Sequence, residues 1–347
     1  MIATIFLTNN CNMACKYCYE GEKSNNMIDK STIDKIVVFI KKHMIEFKFE
    51  DLMVVIHGGE PLIPWPELTY IVDQFKQNID GVYFSITTNS LLLTDQKIDY
   101  LVEEFRYISV SVDGDKYSHD SNRVLLNGTG TYDIIMPKIN KLLNRRDDIR
   151  ARMTFNSTTV DKLSGNVIHL LNCGFKVISP VPDHLDENWD ETSMKQLSDQ
   201  LISITDYTLE MKKEKKVEVG LINEAANKKI NSICSGGESS ISIDTDGSIY
   251  PCTLAVGKSE FIIGNIIDGI QKTKVAEIKE IGKTENESCI GCARAQYCTS
   301  TRCKIINKIT TNDFHTPSPI ICNLEHISCE SSKYYIEKEK YTEIERR

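Results

Sequence analysis

Six short β-rich runs, each followed by a helical or loop stretch, constrain this chain more than any other feature. They are IATIFLT (2–8), LMVVIHGG (52–59), VYFSITT (82–88), YISVSVDG (107–114), ARMTFNS (151–157) and FKVISPV (175–181). Branched and aromatic residues in runs this short read as strands. One helical pattern starts at Asp29-Lys30-Ser31-Thr32 and carries Ile33, Ile36, Val37 and Ile40 on one face; others cover roughly 66–78, 94–104, 131–144 and 161–172. The alternation predicts a parallel sheet with right-handed crossovers, either curled into a partial barrel or open and doubly wound. Ligands of such sheets gather at the carboxyl ends of the strands. The unusual residues fall there: Cys11, Gly58 to Pro61, Thr88-Asn89 and Asp113-Gly114.

With 347 residues and 41% hydrophobic content, the chain can bury a real core in about two domains. No apolar run is long enough to span a bilayer, and MIATIFLTNN lacks the basic region and cleavage site of a signal peptide. A cytoplasmic location with no membrane partner is expected. The net charge is −8 and the lysines are scattered, which disfavours nucleic acid as a partner. Twelve cysteines without an export signal read as metal ligands or reactive thiols rather than a disulfide framework.

Three of those cysteines, Cys11, Cys15 and Cys18, stand within CNMACKYC. A structural zinc site wants four ligands and a disulfide wants two; three thiolates suit a cubane cluster with one iron left open. A zinc site completed by a distant histidine such as His57 is the alternative. In HGGEP, two glycines let backbone approach a ligand closely, and Glu60 offers oxygens to a cationic amine. Asn89 and Asp113 also suit ordinary turn chemistry at strand ends.

Taken in order, Cx3Cx2C with Tyr17 before its last cysteine, GGEP, TTNS and SVDG…HD…R resemble the radical S-adenosylmethionine (SAM) superfamily over residues 1 to about 185. The resemblance implies a partial (β/α)6 barrel of TIM type in which Cys11, Cys15 and Cys18 hold a 4Fe-4S cluster and SAM takes the open iron. It implies that Gly58, Gly59, Glu60 and Pro61 hold the methionyl amine. Ser111, Thr88 or Asn89 would touch the ribose or carboxylate, and Arg123 would pair with the carboxylate.

The last third carries Cys234, then Gly247 and Cys252 in DTDGSIYPC, then Cys289, Cys292, Cys298, Cys303 and Cys322. ISIDTDGSIYPC reads as a β-hairpin with a Thr-Asp-Gly turn. A zinc ribbon is the simplest reading of a CxxC pair, yet the cysteines are too many for one zinc site. The series resembles the SPASM extension, a small cysteine-rich domain with two auxiliary 4Fe-4S clusters. That resemblance assigns Cys289, Cys292, Cys298 and Cys322 to one cluster and Cys234, Cys252 and Cys303 to the other, whose last iron is open or closed by Cys329. The spacing from Cys298 to Cys303 is one residue longer than the pattern.

The expected organisation is a barrel over 1–189, a helical bridge over 190–230, the SPASM region over 231–330 and a helical tail over 331–347 with Tyr334, Ile336 and Tyr341 as weak packing contacts. The resemblance further implies a ribosomally made precursor peptide as substrate and an electron donor such as flavodoxin or ferredoxin. A winged-helix leader-binding domain does not fit ahead of Cys11, so leader recognition is expected to use the barrel and SPASM surfaces or a separate leader-binding protein. The reaction expected first is thioether or other crosslink formation. An epimerase is the alternative and needs Cys329 or Cys173 as hydrogen donor; Cys173, between a helix end and Gly174, also suits a small buried hydrophobe. An anaerobic sulfatase-maturing enzyme is a further alternative, but that group carries an Asp after the second SPASM cysteine, where this chain has Thr253. A non-catalytic iron–sulfur electron-transfer protein leaves GGEP and SVDG without a purpose.

Overall fold

The computed structural model describes residues 1–21, 23–211, 217–222 and 234–344, and their side chains up to residue 340. The lysine run expected on the bridge, at 212–216, lies outside them, as does the side chain of Tyr341. All six expected strands form: β1 (Ile2–Phe6), β2 (Leu52–His57), β3 (Val82–Thr88), β4 (Phe105–Ser111), β5 (Arg150–Phe155) and β6 (Val177–Pro182). Between them run α1 (Lys30–Phe47), α2 (Trp65–Asn78), α3 (Asp95–Glu104), α4 (Lys116–Asn122), α5 (Tyr132–Leu143) and α6 (Leu163–Asn172), with α7 (Glu191–Met211) after β6.

Local chemistry sets the helix ends. The Asp29 carboxylate accepts from the Thr32 N–H at 2.7 Å and starts α1, and Lys48 in the left-handed region (φ 56°) ends it. The α1 face carrying Ile33, Ile36, Val37 and Ile40 is buried as its spacing predicts. Each such side chain contributes about 1.5–3 kcal/mol on leaving water. The helix α4 was not legible: its polar sequence KYSHDSN has no apolar stripe, and its buried residues are Ser118, His119 and Asn122.

The chain divides into two compact units. The first comprises Met1–Ser109, Leu125–Gly128 and Ile233–Thr284. In it, β1, β2 and β3 pair in parallel register, Ile5 opposite Ile56 and Ile56 opposite Ile86. On the other edge of β1 lies Ser240–Ile243, parallel to it, which turns back through the expected hairpin into Ser248–Tyr250. Gly247 makes that turn at φ 84°, where a β-carbon would meet Ile266 Cδ1 at 2.8 Å.

The second unit comprises Val110–Val124, Thr129–Ser232 and Glu285–Arg347. Here β5 and β6 are parallel, Ala151 opposite Ile178, and the end of β4 joins β5 through the Val112 N–H to Arg152 C=O bond at 3.1 Å. A 26-residue helix, Pro319–Ile344, begins well before the expected tail, with Pro at its first position. It lies against α7, where the Tyr334 hydroxyl donates to Asp206 at 2.8 Å. Ile321, Leu324 and Tyr335 are buried along it, whereas Ile336 is left 37% exposed.

Candidate functional site

The loop after β1 carries Cys11 and Cys15 half-buried and Cys18 exposed. The glycines of HGGEP face this loop. Gly59 donates to Thr8 C=O and the Glu60 N–H to Asn10 C=O, both at 2.9 Å. A β-carbon on Gly59 would meet Asn10 O at 2.2 Å, so only glycine permits the approach. The backbone proximity anticipated for a ligand is thus already used to pack the cysteine loop.

Glu60 turns inward as well. Its carboxylate is buried and accepts from the Leu62 N–H (3.0 Å), the Thr88 hydroxyl (2.7 Å) and the Asn89 N–H (2.7 Å). Burial pushes its acidity up to about 7 in spite of those three donors. Glu60 and Thr88 therefore bind the end of β2 to the end of β3. The Thr88 oxygen also accepts from the Ser90 N–H at 3.0 Å.

Asn89 reaches the cysteine loop itself. Its Nδ2 donates to Asn12 Oδ1 at 2.7 Å and stands 3.8 Å from Cys11 Sγ, while its Oδ1 accepts from the Leu91 N–H at 3.0 Å. At the other end of the loop Lys23 Nζ stands 3.1 Å from Cys18 Sγ and 3.0 Å from Glu20. Burial alone would lower the Lys23 ammonium's affinity for its proton, but Glu20 and Cys18 together raise it. Glu20 continues to His57 Nδ1 at 3.4 Å, and His57 Nε2 lies 3.3 Å from the Tyr19 hydroxyl. This polar chain was not anticipated, although the charges of CYEGEK were a signal for it. Tyr17 is half-buried within the same loop.

The motif SVDG…HD…R forms a closed network in the second unit. Arg123 Nε lies 3.0 Å from Asp113 Oδ2, both buried, and Asp113 Oδ1 accepts from the Thr154 N–H at 2.9 Å. His119, fully buried, is pushed down to about 4 by burial and stays neutral. Its Nδ1 accepts from the Asp113 N–H (3.3 Å), so Nε2 carries the proton toward Thr131 Oγ1 (2.9 Å), whose hydroxyl bonds Arg123 C=O (3.0 Å). Arg123 thus pairs through Nε with Asp113. Ser111, at the end of β4, remains half-buried and outside this network.

A cavity of about 150 Å³ in the second unit is lined by Cys289, Cys292, Cys298, Cys322 and Cys329, together with Glu325 and His326. Asn286 Nδ2 stands 3.7 Å from Cys289 Sγ. Cys329 comes here because it lies two helical turns beyond Cys322 on the Pro319–Ile344 helix. Of the remaining trio, Cys234 and Cys252 belong to the first unit and Cys303 to the second; the Gly236 N–H points to Cys234 Sγ at 3.4 Å. Cys173 closes α6 before β6, at the amino end of that strand, with its sulfur 3.6 Å from His169 Nε2. It stands at the opposite end of the strand from the loops expected to carry ligands.

Among the described residues no three His, Cys, Asp or Glu side chains converge on a single metal ion. A cubane spreads its thiolates over separate irons, and the donor sets fit one: exposed or half-buried thiols in a short loop or around a cavity, with amide or ammonium N–H groups aimed at the sulfurs. No helix among the described residues is long and apolar enough to cross a membrane.

Residues 5–172 match the family model of the Radical SAM superfamily. A cysteine-type anaerobic sulfatase-maturating enzyme of Clostridium novyi is 24% identical over 75% of this chain and 74% of its own length. The radical SAM cyclopropyl synthase TigE of Paramaledivibacter caminithermalis is 22% identical over 85% of this chain and 66% of its own. Among solved structures, native anSMEcpe with bound AdoMet and Cp18Cys peptide superposes with a TM-score of 0.81 at 17% identity, over 98% of this chain and 99% of that one. Streptococcus suis SuiB bound to precursor peptide SuiA gives 0.66 at 15% identity, over 92% and 75%. These likenesses show the fold, the TIM-like radical SAM arrangement with its cysteine-rich extension. The chain carries a radical SAM domain over residues 5–172 and is similar, across most of its length, to anaerobic sulfatase-maturating enzymes.

Proposed function

We propose that this enzyme removes two hydrogens from a side chain of a ribosomally made peptide, joining a cysteine sulfur to carbon or forming another crosslink. The observation that carries the reading is the cavity lined by Cys289, Cys292, Cys298 and Cys322. Those four thiols would hold an auxiliary 4Fe-4S cluster able to accept an electron, which an oxidation needs and an epimerisation does not. Cys234, Cys252 and Cys303 are proposed for a second auxiliary cluster, and Cys11, Cys15 and Cys18 for the one that binds SAM.

When bound, the SAM and cluster pair supplies a 5′-deoxyadenosyl radical that takes a hydrogen atom from substrate. The chain's own part is to hold and orient. Asn89 and Lys23 offer N–H groups to the sulfurs of Cys11 and Cys18, while burial pushes the Cys11 thiol up to about 11, so that iron would have to displace its proton on binding. With the Glu60 carboxylate turned inward, the backbone of Gly58 to Pro61 is the part of that turn proposed to face the methionyl amine. Asn89, Ser111 and Tyr17 complete the proposed SAM contacts, and Arg123 acts on them through Asp113 rather than by touching SAM. A flavodoxin or ferredoxin is the proposed electron donor, a separate protein the proposed reader of a leader peptide, and the cytoplasm the proposed location.

The full-length likeness to anSMEcpe favours a second reading, oxidation of a Cys or Ser to formylglycine. Thr253 weighs against it. Reconstituted enzyme incubated without air with SAM, a reductant and the peptide encoded beside its gene separates the readings by mass. Loss of two hydrogens with sulfur retained and no free thiol is the expected result. Loss of two hydrogens with an aldehyde gained indicates formylglycine, accompanied by exchange of sulfur for oxygen where the modified residue is Cys and by no exchange where it is Ser. An unchanged mass with one deuterium gained from heavy water overturns both oxidative readings and returns the epimerase.

A further inference from the structure

A cavity of the second unit lies beyond β6. It has about 390 Å³ and is lined by Pro180 and Pro182 of that strand and by His184 just after it, with Leu324, Glu325 and Ser328 of the Pro319–Ile344 helix opposite. This is the size of a pocket for a side chain or small ligand, with apolar walls and a few converging polar groups. Its position at the carboxyl end of a parallel strand is where such sheets bind what they act on.

Glu325 and Ser328 line this cavity and also the five-cysteine cavity. The two spaces are therefore separated by one layer of side chains. His184 is half-buried, and its Nδ1, itself shielded from solvent, has no hydrogen-bond partner among the described residues. The loop that presents it is held still: the Asp183 N–H donates to Phe155 C=O at 2.8 Å, and Trp189 Nε1 donates to Asp183 C=O at 3.0 Å. Glu325 is anchored by accepting from the Thr299 N–H at 3.2 Å.

We propose that this cavity receives the substrate side chain and that His184 is the catalytic proton acceptor, with Glu325 as its positioning residue. The proposal rests on the peptide-oxidation reading above. Removing two hydrogens from a side chain with a C–H and an S–H or O–H takes one hydrogen atom, one proton and one electron. The carbon-bound hydrogen atom goes to the nucleoside radical that SAM cleavage supplies, and the electron to an oxidised iron–sulfur cluster. The S–H or O–H proton goes to a neutral His184 nitrogen, while the new C–S or C=X bond forms. Burial holds the His184 ring below its ordinary value, against the pull of Glu325, so that it is neutral and ready to accept. Thr253 offers no comparable base.

The test compares wild type with His184→Gln, Glu325→Gln and Leu324→Trp, each checked for wild-type iron content and circular dichroism. The readouts are product formed per 5′-deoxyadenosine released, and the affinity of the same peptide for the SAM-free protein by calorimetry. His184→Gln is expected to lower the product ratio at least tenfold, with recovery on adding imidazole, and Glu325→Gln to lower it less. Leu324→Trp, which fills the cavity, is expected to weaken peptide binding at least tenfold. A wild-type ratio in His184→Gln, or full peptide affinity in Leu324→Trp, overturns the assignment and leaves the oxidation reading standing. Wild-type enzyme that cleaves SAM yet never alters the peptide's mass overturns both.

Discussion

The two cysteine-rich regions are built on opposite plans. Cys11, Cys15 and Cys18 hang from the end of a parallel strand, and their loop is pinned by Gly59, Glu60 and Asn89, with Met13 buried beneath it. Between Glu285 and Cys303 there is no strand and no buried hydrophobic side chain; Asn286 and Ser300 are the buried residues. The first region is shaped by the protein and then receives its cluster. The second has too little core to hold one shape alone, so the auxiliary cluster proposed there would be part of its fold.

The sharpest way to break that comparison is Gly59→Ala, which leaves every thiol in place but drives a β-carbon into Asn10. Complete loss of 5′-deoxyadenosine formation is expected, with iron falling by one cubane while the Cys289–Cys322 cluster persists. Removing all iron with a chelator should act the other way. Hydrogen exchange should then show residues 285–303 losing protection while β1, β2 and β3 stay protected.

The polar braces behind the loops differ too. Arg123→Met strands the buried Asp113 carboxylate and is expected to cost about 3–5 kcal/mol in urea unfolding, with most of that recovered in the Arg123→Met, Asp113→Leu double variant. Glu60 has the smaller and pH-dependent effect. Its acidity is raised to about 7 in the folded protein, so between the ordinary glutamate value and 7 the folded state keeps a proton that the unfolded chain has released. Its stabilising contribution is full below that window, falls as pH rises through it by about 3 kcal/mol at most, and is level above. Urea midpoints across that range should carry this slope in wild type and lose it in Glu60→Gln.

Much of this was legible in the sequence. The strands and the face of α1 followed from periodicity, because a buried apolar stripe is written in residue order. Cysteine spacing marked the loop after β1, and the resemblance to the SPASM extension grouped Cys289, Cys292, Cys298 and Cys322. The direction in which a polar side chain turns was not legible. Glu60, Thr88 and Arg123 each stand at or beyond a strand end as expected, yet each spends its polar group on a partner brought near by folding. Cys329 was similarly ambiguous: only the continuous helix from Pro319 brings it round to the face of Cys322. His184 and Glu325, 141 positions apart in number, carry no local signal of their shared cavity.

The exposure of Cys18, Cys292 and Cys322 has a practical consequence. Three thiols open to solvent give dissolved oxygen a path to sulfenic acid and then to mismatched disulfides, and give zinc a foothold where iron belongs. Protein prepared in air should therefore carry a chemical record of its handling in these three side chains, readable by peptide mass before any assay is attempted.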